Sequence, residues 1–538
     1  MHRIARLVLP SIAILLIGVV GGAAAPSTTA KTKQDAAKKI LSSPASQNLT
    51  ATARGYVESV ARNDHRLVAD SSGLTKNAKK VTSAAKPGGG GSLANVRVNN
   101  PANDSHQVDQ TTQSETAIAV SGSHVVVGYN DSQQAIQPFL TAGADLNGYA
   151  YSADGGQTFT DGGTIPNAPG NVNLGDPWLA ADSSGTFYYS SLVADAGTGN
   201  LVVGVATSGD GGKTFGSLKS LPQPAGVLFY SADKDAMATG TGKNVYIAWD
   251  DFSVDSNFNF TLGLPVAHST DSGQTWSISY ADQTIPTGCS FAQYIGAVPM
   301  VVGNTVYVAA ELIRADDPDC VGNPVTFTEA VFVSKDGGNS WTAGAKIPIT
   351  SSTQGFGAFV VGPGQFVRNL EFPTLAALKT DAFIAWNDGG DGSGHSHIRY
   401  AKLDGSGNVT GNPSFITSGG NDELQPAMSG DSSGLHVAYY QISTASNGNG
   451  QFDVIVSNSN GSGNGGWRTQ RVTSQSFPGV FTVPQFDPII AFGYMGDYIA
   501  IASDGGHQYM AWGDNRDTVN NFMWPGGRND PDVFSARQ

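Results

Sequence analysis

Carboxylates recur at two places in a repeated phrase of this sequence. One set closes β-rich runs that end in an aromatic. Asp131 follows Tyr129, Asp250 and Asp251 follow Trp249, Asp388 follows Trp386, Asp514 follows Trp512, and Glu311 holds the same place in a looser copy. The other set stands just before the preceding β-rich run: Glu115, Asp176, Asp233 with Lys234, Glu371, Gln425 and Asp497. Arg314 and Arg516 follow two members of the first set. Clustered acids shift one another's pKa, so one can be held protonated as a general acid. Carboxyl pairs suit glycoside hydrolysis, Arg suits a carboxylated sugar, and carboxylate oxygens equally suit Ca²⁺. Acids also cap turns and solvate loops, and would then recur simply because the unit recurs.

Short strands must position these side chains. The aromatic phrase recurs with its aligned position at 129, 191, 249, 310, 386, 439 and 512. Each copy follows a second β-rich run, such as Thr116-Ala117-Ile118-Ala119-Val120 or Thr374-Leu375-Ala376, across a short Gly/Ser/Asp turn. The spacing leaves room for four strands per copy, as in a propeller blade. The predicted fold is therefore all-β, a seven-bladed β-propeller of four-stranded antiparallel blades. The last unit ends with Asp532 to Arg537 as its third strand. Residues 95–99 precede the first blade and are expected to supply the missing fourth strand, which removes an open sheet edge.

A second motif identifies the third and fourth strands. It reads Ser152-Ala153-Asp154-Gly155-Gly156-Gln157-Thr158-Phe159 and recurs around Asp210, Asp271 and Asp336, closing on Phe215, Trp276 and Trp341. Gly supplies positive φ for a tight turn, the Asp carboxylate accepts turn N–H groups, and the aromatic buries apolar area. These four Asp are read as structural hairpin locks. The motif resembles the Asp box, or BNR repeat, of the sialidase-like (neuraminidase) superfamily, and the likeness extends over residues 95–538. It implies Asp-box turns on one face and function on the other, where the two acid sets would meet around a central channel. The family's enzymes use three Arg, a Tyr–Glu pair and an Asp, with a Phe/Tyr-Arg-Ile-Pro motif near the first blade. That motif is absent; Glu115-Thr116-Ala117-Ile118 stands there instead. No catalytic residue is carried over.

Composition sets the compartment. Arg3 and Arg6, an apolar run from Leu7 to Val20, and Ala23-Ala24-Ala25 form an export signal over residues 1–25. The run is short for a membrane span. Residues 1–94 carry 13 Lys/Arg against 4 Asp/Glu, and 26–94 end in a Gly-rich linker, reading as a flexible, partly helical spacer or pro-segment. Residues 95–538 carry 17 against 40, a balance of −23 that argues against nucleic acid. Cys289 and Cys320 are expected to pair in an exported protein. The nine His show no metal-ligand spacing. The expectation is a secreted or periplasmic monomer without a membrane anchor. It would recognise an extracellular glycan or protein through an acidic and aromatic face. A glycoside hydrolase and a structural or adhesion module are the alternatives.

Overall fold

The computed structural model describes residues 28–42, 61, 79–81, 93–103, 112–132, 145–322, 324–350, 358–362, 365–446, 448–479, 496–519 and 527–538. The expected export signal lies outside them.

Antiparallel sheets of four consecutive strands follow one another along the chain. Two successive units are joined by one parallel bridge, Leu201 to Ser231. The first strands are Gln113–Ser121, Trp178–Ala181, Val227–Thr239, Phe291–Val302, Thr374–Leu378, Asp422–Asp431 and Ala500–Asp504. Each packs against the next, and the last packs against the first. A closed circle of inner strands with sheets radiating from it is a β-propeller. The second strand of each unit is covered on both sides by neighbouring sheets, so it reads as a continuous apolar run. Val125, Val126 and Val127 are all fully buried, as are Ala382 to Ala385 apart from traces. Outer strands meet solvent: Val409–Phe415 is mostly exposed, and Ser277–Thr284 is mostly half-buried with both ends near solvent.

The circle is closed by chain ends. Asn95, Val96 and Arg97 pair antiparallel with Ala536, Ser535 and Phe534, as the sequence led us to expect. Pieces of the N-terminal segment also dock. Helix Thr28–Ser42 buries Ala37 and Ile40 completely and sets the Lys39 ammonium 3.6 Å from the Phe258 ring centroid. Lys79–Val81 adds a fifth strand beside Phe159–Gly163.

The Asp boxes are hairpin locks. Asp154 Oδ1 accepts the amides of Gln157 and Thr158 at 3.0 and 2.9 Å, and Oδ2 accepts the Thr158 hydroxyl at 2.6 Å. Ser152 Oγ donates to Asp154 and accepts the Gly156 amide at 2.9 Å. Gly155 and Gly156 have φ of 72° and 77°, so the turn needs glycine. Asp210, Asp271 and Asp336 repeat the pattern. Bonds from Thr275 and Ser340 pull Asp271 and Asp336 down to about 2. A depressed carboxyl contributes stability that is present above its unfolded value, about 3.9, and lost as pH falls through its folded value. Circular dichroism from pH 5 to 1 should therefore show the hairpins intact at pH 3 and loosening near 2. Asp271→Asn should lose part of that acid dependence.

Candidate functional site

The entries to the inner strands are bulged. Register shifts fall between Ser114 and Ala117, Asp233 and Ala236, Ile295 and Val298, and Leu424 and Ala427. Glu115, Asp176, Lys234 and Gln425 have φ of 49°, 55°, 47° and 53°, in the left-handed region. Such strain costs on the order of 1–3 kcal/mol per residue and is kept where a bulge re-aims a side chain. Here it turns side chains from separate sheets toward one another.

They meet on Lys234. Its ammonium lies 3.0 Å from Glu115, 3.0 Å from Asp176 and 2.8 Å from Asp497. Arg368 adds a 2.9 Å contact to Asp497, and the Gln425 amide donates to the Gly496 carbonyl at 2.9 Å. Glu115 also accepts from Asn130. The Lys234 side chain is only 3% exposed. Burial alone would lower its pKa, but three carboxylates, Asp176 foremost, push it well up. The first acid set is thus a closed ion-pair hub, not an open carboxylate ring. A cavity beside it is lined by Trp178, Asp235, Val298, Phe372, Gln425 and Tyr498. Burial pushes Asp235 up to about 7. Asp233, also buried, accepts the Lys234 amide at 3.0 Å.

The aromatics of the second set do not face a ligand. Trp249, Trp386 and Trp512 are 0–1% exposed. Their indole N–H groups are used internally: Trp249 donates to Tyr230, Trp386 to Asp388 at 3.0 Å, and Trp512 to Asp514 at 2.8 Å. The physical reason is position. Each lies in a second strand, covered by sheets on both sides. Asp388 also takes Arg399 at 3.2 Å. Asp514 takes Arg516 Nε at 2.8 Å, and that guanidinium stacks 4.4 Å from Phe534. Asp131 accepts Gln113 at 3.1 Å. Asp251 takes the Tyr280 hydroxyl at 2.6 Å, yet burial lifts it to about 7; burial lifts Asp250 as well. Arg314 is half exposed, 3.4 Å from Asp316. Arg314, Arg368 and Arg516 therefore serve three different acids and form no common clamp.

Among the described residues, no cation pairs with Glu311 or Glu329. Glu311 and Glu329 stand directly opposite each other in neighbouring strands, and both are fully buried. Neither carboxyl oxygen of Glu329 has a hydrogen-bonding partner among the described residues, and Glu311 has at most the backbone of Glu371. Burial raises both, and Glu371, 1% exposed, raises each further. Strand alternation puts Ile313 and Phe327 on the same sheet face, one step farther out. Ile295, Ile313 and Leu370 pack there beneath half-buried Phe291, Phe327 and Phe372. Gly296, with φ 67°, permits this, because a Cβ there would lie 2.4 Å from the Phe372 ring. Acids alongside an aromatic rim define the candidate site. Glu329 and Asp235 escaped the sequence reading. A lone acid inside an apolar β run, Glu329 before Ala330-Val331-Phe332-Val333, was the available signal.

Cys289 and Cys320 form a disulfide with Cα atoms 5.1 Å apart, tying together two loops beside this rim. Closing a loop of that length contributes on the order of 3 kcal/mol. Among the described residues, no three His, Cys, Asp or Glu side chains are placed to share a metal ion. No helix among the described residues is long and apolar enough to cross a membrane.

The architecture, by its own ring of inner strands, is a β-propeller. Similar solved structures include an α-L-arabinofuranosidase from Fusarium graminearum, at 13% identity over 67% of this chain and 91% of that one, TM-score 0.36. Trypanosoma rangeli sialidase matches at 12% identity over 69% of this chain, TM-score 0.38; the match spans 58% of the sialidase. An ulvan lyase matches at 10% identity over 85% and 95% of the two chains, TM-score 0.41. No family model and no curated protein matches.

Proposed function

We propose that this chain is an exported, seven-bladed propeller that binds an extracellular glycan between its fourth and fifth blades. The circle of inner strands and the closing Asn95–Arg97 pairing support the blade count. The disulfide and the N-terminal signal pattern support export. One observation carries the binding reading: the buried Glu311–Glu329 pair shares its two strands with Ile313 and Phe327, and half-buried Phe291, Phe327 and Phe372 pack on the Ile295–Ile313–Leu370 cluster there. Neutral carboxyls donate hydrogen bonds to sugar oxygens, while aromatic faces cover the apolar side of a sugar ring.

A second reading, glycoside hydrolysis, draws on the same pair. A carboxyl whose pKa is raised by burial and a neighbouring acid is the kind of general acid such chemistry uses. The deciding experiment presents the full chain to an array of neutral and acidic oligosaccharides, then measures binding and turnover on any that bind. Glu311→Gln and Phe327→Ala should each weaken binding about tenfold or more with the melting temperature kept, in line with the loss of one good contact. Saturable binding that both variants leave unchanged would move the site elsewhere, and absence of any binding would remove the glycan reading. Turnover lost in Glu311→Gln would convert the binder into a hydrolase.

A further inference from the structure

We propose that Ser393, His397 and Glu423 form a separate acyl-transfer centre that cleaves a small ester, such as an acyl group carried on a hydroxylated ligand. They belong to neither the Lys234 hub nor the Glu311–Glu329 pair, and sit where the loop after Asp381–Asp388 meets the entry of Asp422–Asp431.

The three side chains form a hydrogen-bonded line. Ser393 Oγ lies 3.3 Å from His397 Nε2, and His397 Nδ1 lies 2.6 Å from Glu423 Oε2. Glu423 is held from two further directions, by the Thr417 hydroxyl at 3.0 Å and the Gln441 amide at 3.0 Å. With Nδ1–H given to Glu423, the Nε2 lone pair is left toward Ser393, the tautomer a general base requires. Exposure is graded in the useful direction. His397 and Glu423 are 0% and 1% exposed, while Ser393 is exposed. Gly392 and Gly394 flank the serine, and nothing lies within 4 Å of where a Cβ would be on either, so a substrate has room.

Asp391 is the competing partner. Its Oδ1 accepts the Ser393 hydroxyl at 2.5 Å and the Ser393 amide at 2.8 Å, and its Oδ2 lies 3.3 Å from His397 Nε2. The resting hydroxyl proton is thus parked on Asp391. Rotation of the O–H bond alone redirects it to Nε2, because Oγ is already within reach of both. The amide of His395 also donates to Oγ at 3.1 Å, which stabilises charge growing there.

The step balances without any other reagent than water. As the Oγ–carbon bond forms at the ester carbonyl, the Oγ proton passes to Nε2, and Glu423 stabilises the imidazolium. The carbon–oxygen bond to the alcohol breaks, and the alcohol leaves with the Nε2 proton. Water then attacks the acyl-serine, gives its proton to Nε2, and Ser393 regains a proton as the carboxylic acid departs.

The test treats the full chain with a fluorophosphonate probe, maps adducts by mass spectrometry, and follows p-nitrophenyl acetate hydrolysis. Ser393 should be labelled about 100-fold faster than any other serine, the usual scale of assistance by a positioned base. Ser393→Ala should abolish both signals with its melting temperature unchanged, since the side chain is exposed. Glu423→Gln should slow labelling at unchanged melting temperature, and Glu423→Asp should recover part of the rate; a merely structural Glu423 would move stability instead. No adduct at Ser393, or one formed equally fast in His397→Asn and Glu423→Gln, would overturn the proposal and leave Ser393 as a turn residue locked to Asp391. If His397→Asn does not fold, the Glu423 pair alone decides. None of these readouts depends on glycan binding, so this centre and the proposed glycan site stand or fall separately.

Discussion

Lys234→Met should cost about 3–5 kcal/mol of stability at pH 7, the usual penalty for removing one partner of a buried ion pair. Lys234 is the point where Glu115, Asp176 and Asp497, from three other parts of the chain, meet within 3.0 Å. Without it, Arg368 still serves Asp497 at 2.9 Å. Glu115 and Asp176 would then be left in a site that excludes water, and their charged forms would become the unstable ones. The sign follows from that. Their folded pKa values would rise above the unfolded values of about 4. The variant should therefore be least impaired near pH 4 and progressively worse as pH rises. Urea denaturation at pH 4, 5.5 and 7 measures this. Adding Glu115→Gln should restore part of the loss by removing one stranded charge. A Lys234→Met protein as stable as the parent at pH 7 would mean that the hub contributes nothing.

The second large effect is in the opposite sense. Glu329→Gln should stabilise the protein at pH 8 and change little at pH 4. Glu311 and Glu329 face each other with no cation among the described residues, and burial raises both. A carboxyl with a raised folded pKa contributes stability that is fully present below its unfolded value, about 4.3, and lost as pH climbs toward the folded value. Each proton that must be kept against rising pH costs about 1.4 kcal/mol per pH unit. Gln keeps the shape and hydrogen-bonding capacity but never ionises. Parent and variant curves should thus meet near pH 4 and separate progressively as pH rises to 8, with the variant the more stable. Glu371 and Asp388 also press on Glu329, so replacing it relieves several repulsions together. Curves that stay parallel from pH 4 to 8 would show that the pair is already relieved by another route.

Much of the fold was legible because its determinants are local. An Asp box needs only residues from Ser152 to Phe159: the serine, the carboxylate and two glycines in left-handed conformations close one turn by themselves. The second strands announce themselves as apolar runs, since both their faces are covered. The closing role of residues 95–99 was legible from an arithmetic remainder, one strand short at one end and one spare at the other. The disulfide followed from two cysteines and an export signal.

The site was legible in part. Both acid sets were found, because they repeat with the unit. Their roles were not, because pairing joins residues far apart in the chain: Lys234 reaches Glu115 across 119 positions, and Asp497 donates its amide to Glu115 across 382. The aromatics beside the acids looked available, yet Trp386 and Trp512 are sealed between sheets and serve the carboxylates two residues on. Glu329 was missed because it stands alone in an apolar strand, without the repeating phrase.

The sequence by itself determined the repeating unit, the hairpin locks and the list of acids from which a site is made. Tertiary structure decided which acids are neutralised. Around Lys234 the sheets bring a cation to three carboxylates and close the centre. Between Glu311 and Glu329 they bring two carboxyls together and, among the described residues, supply no cation. Whether a buried acid is a staple or a reactive group depends on the charge placed beside it, and that charge arrives from a distant part of the chain.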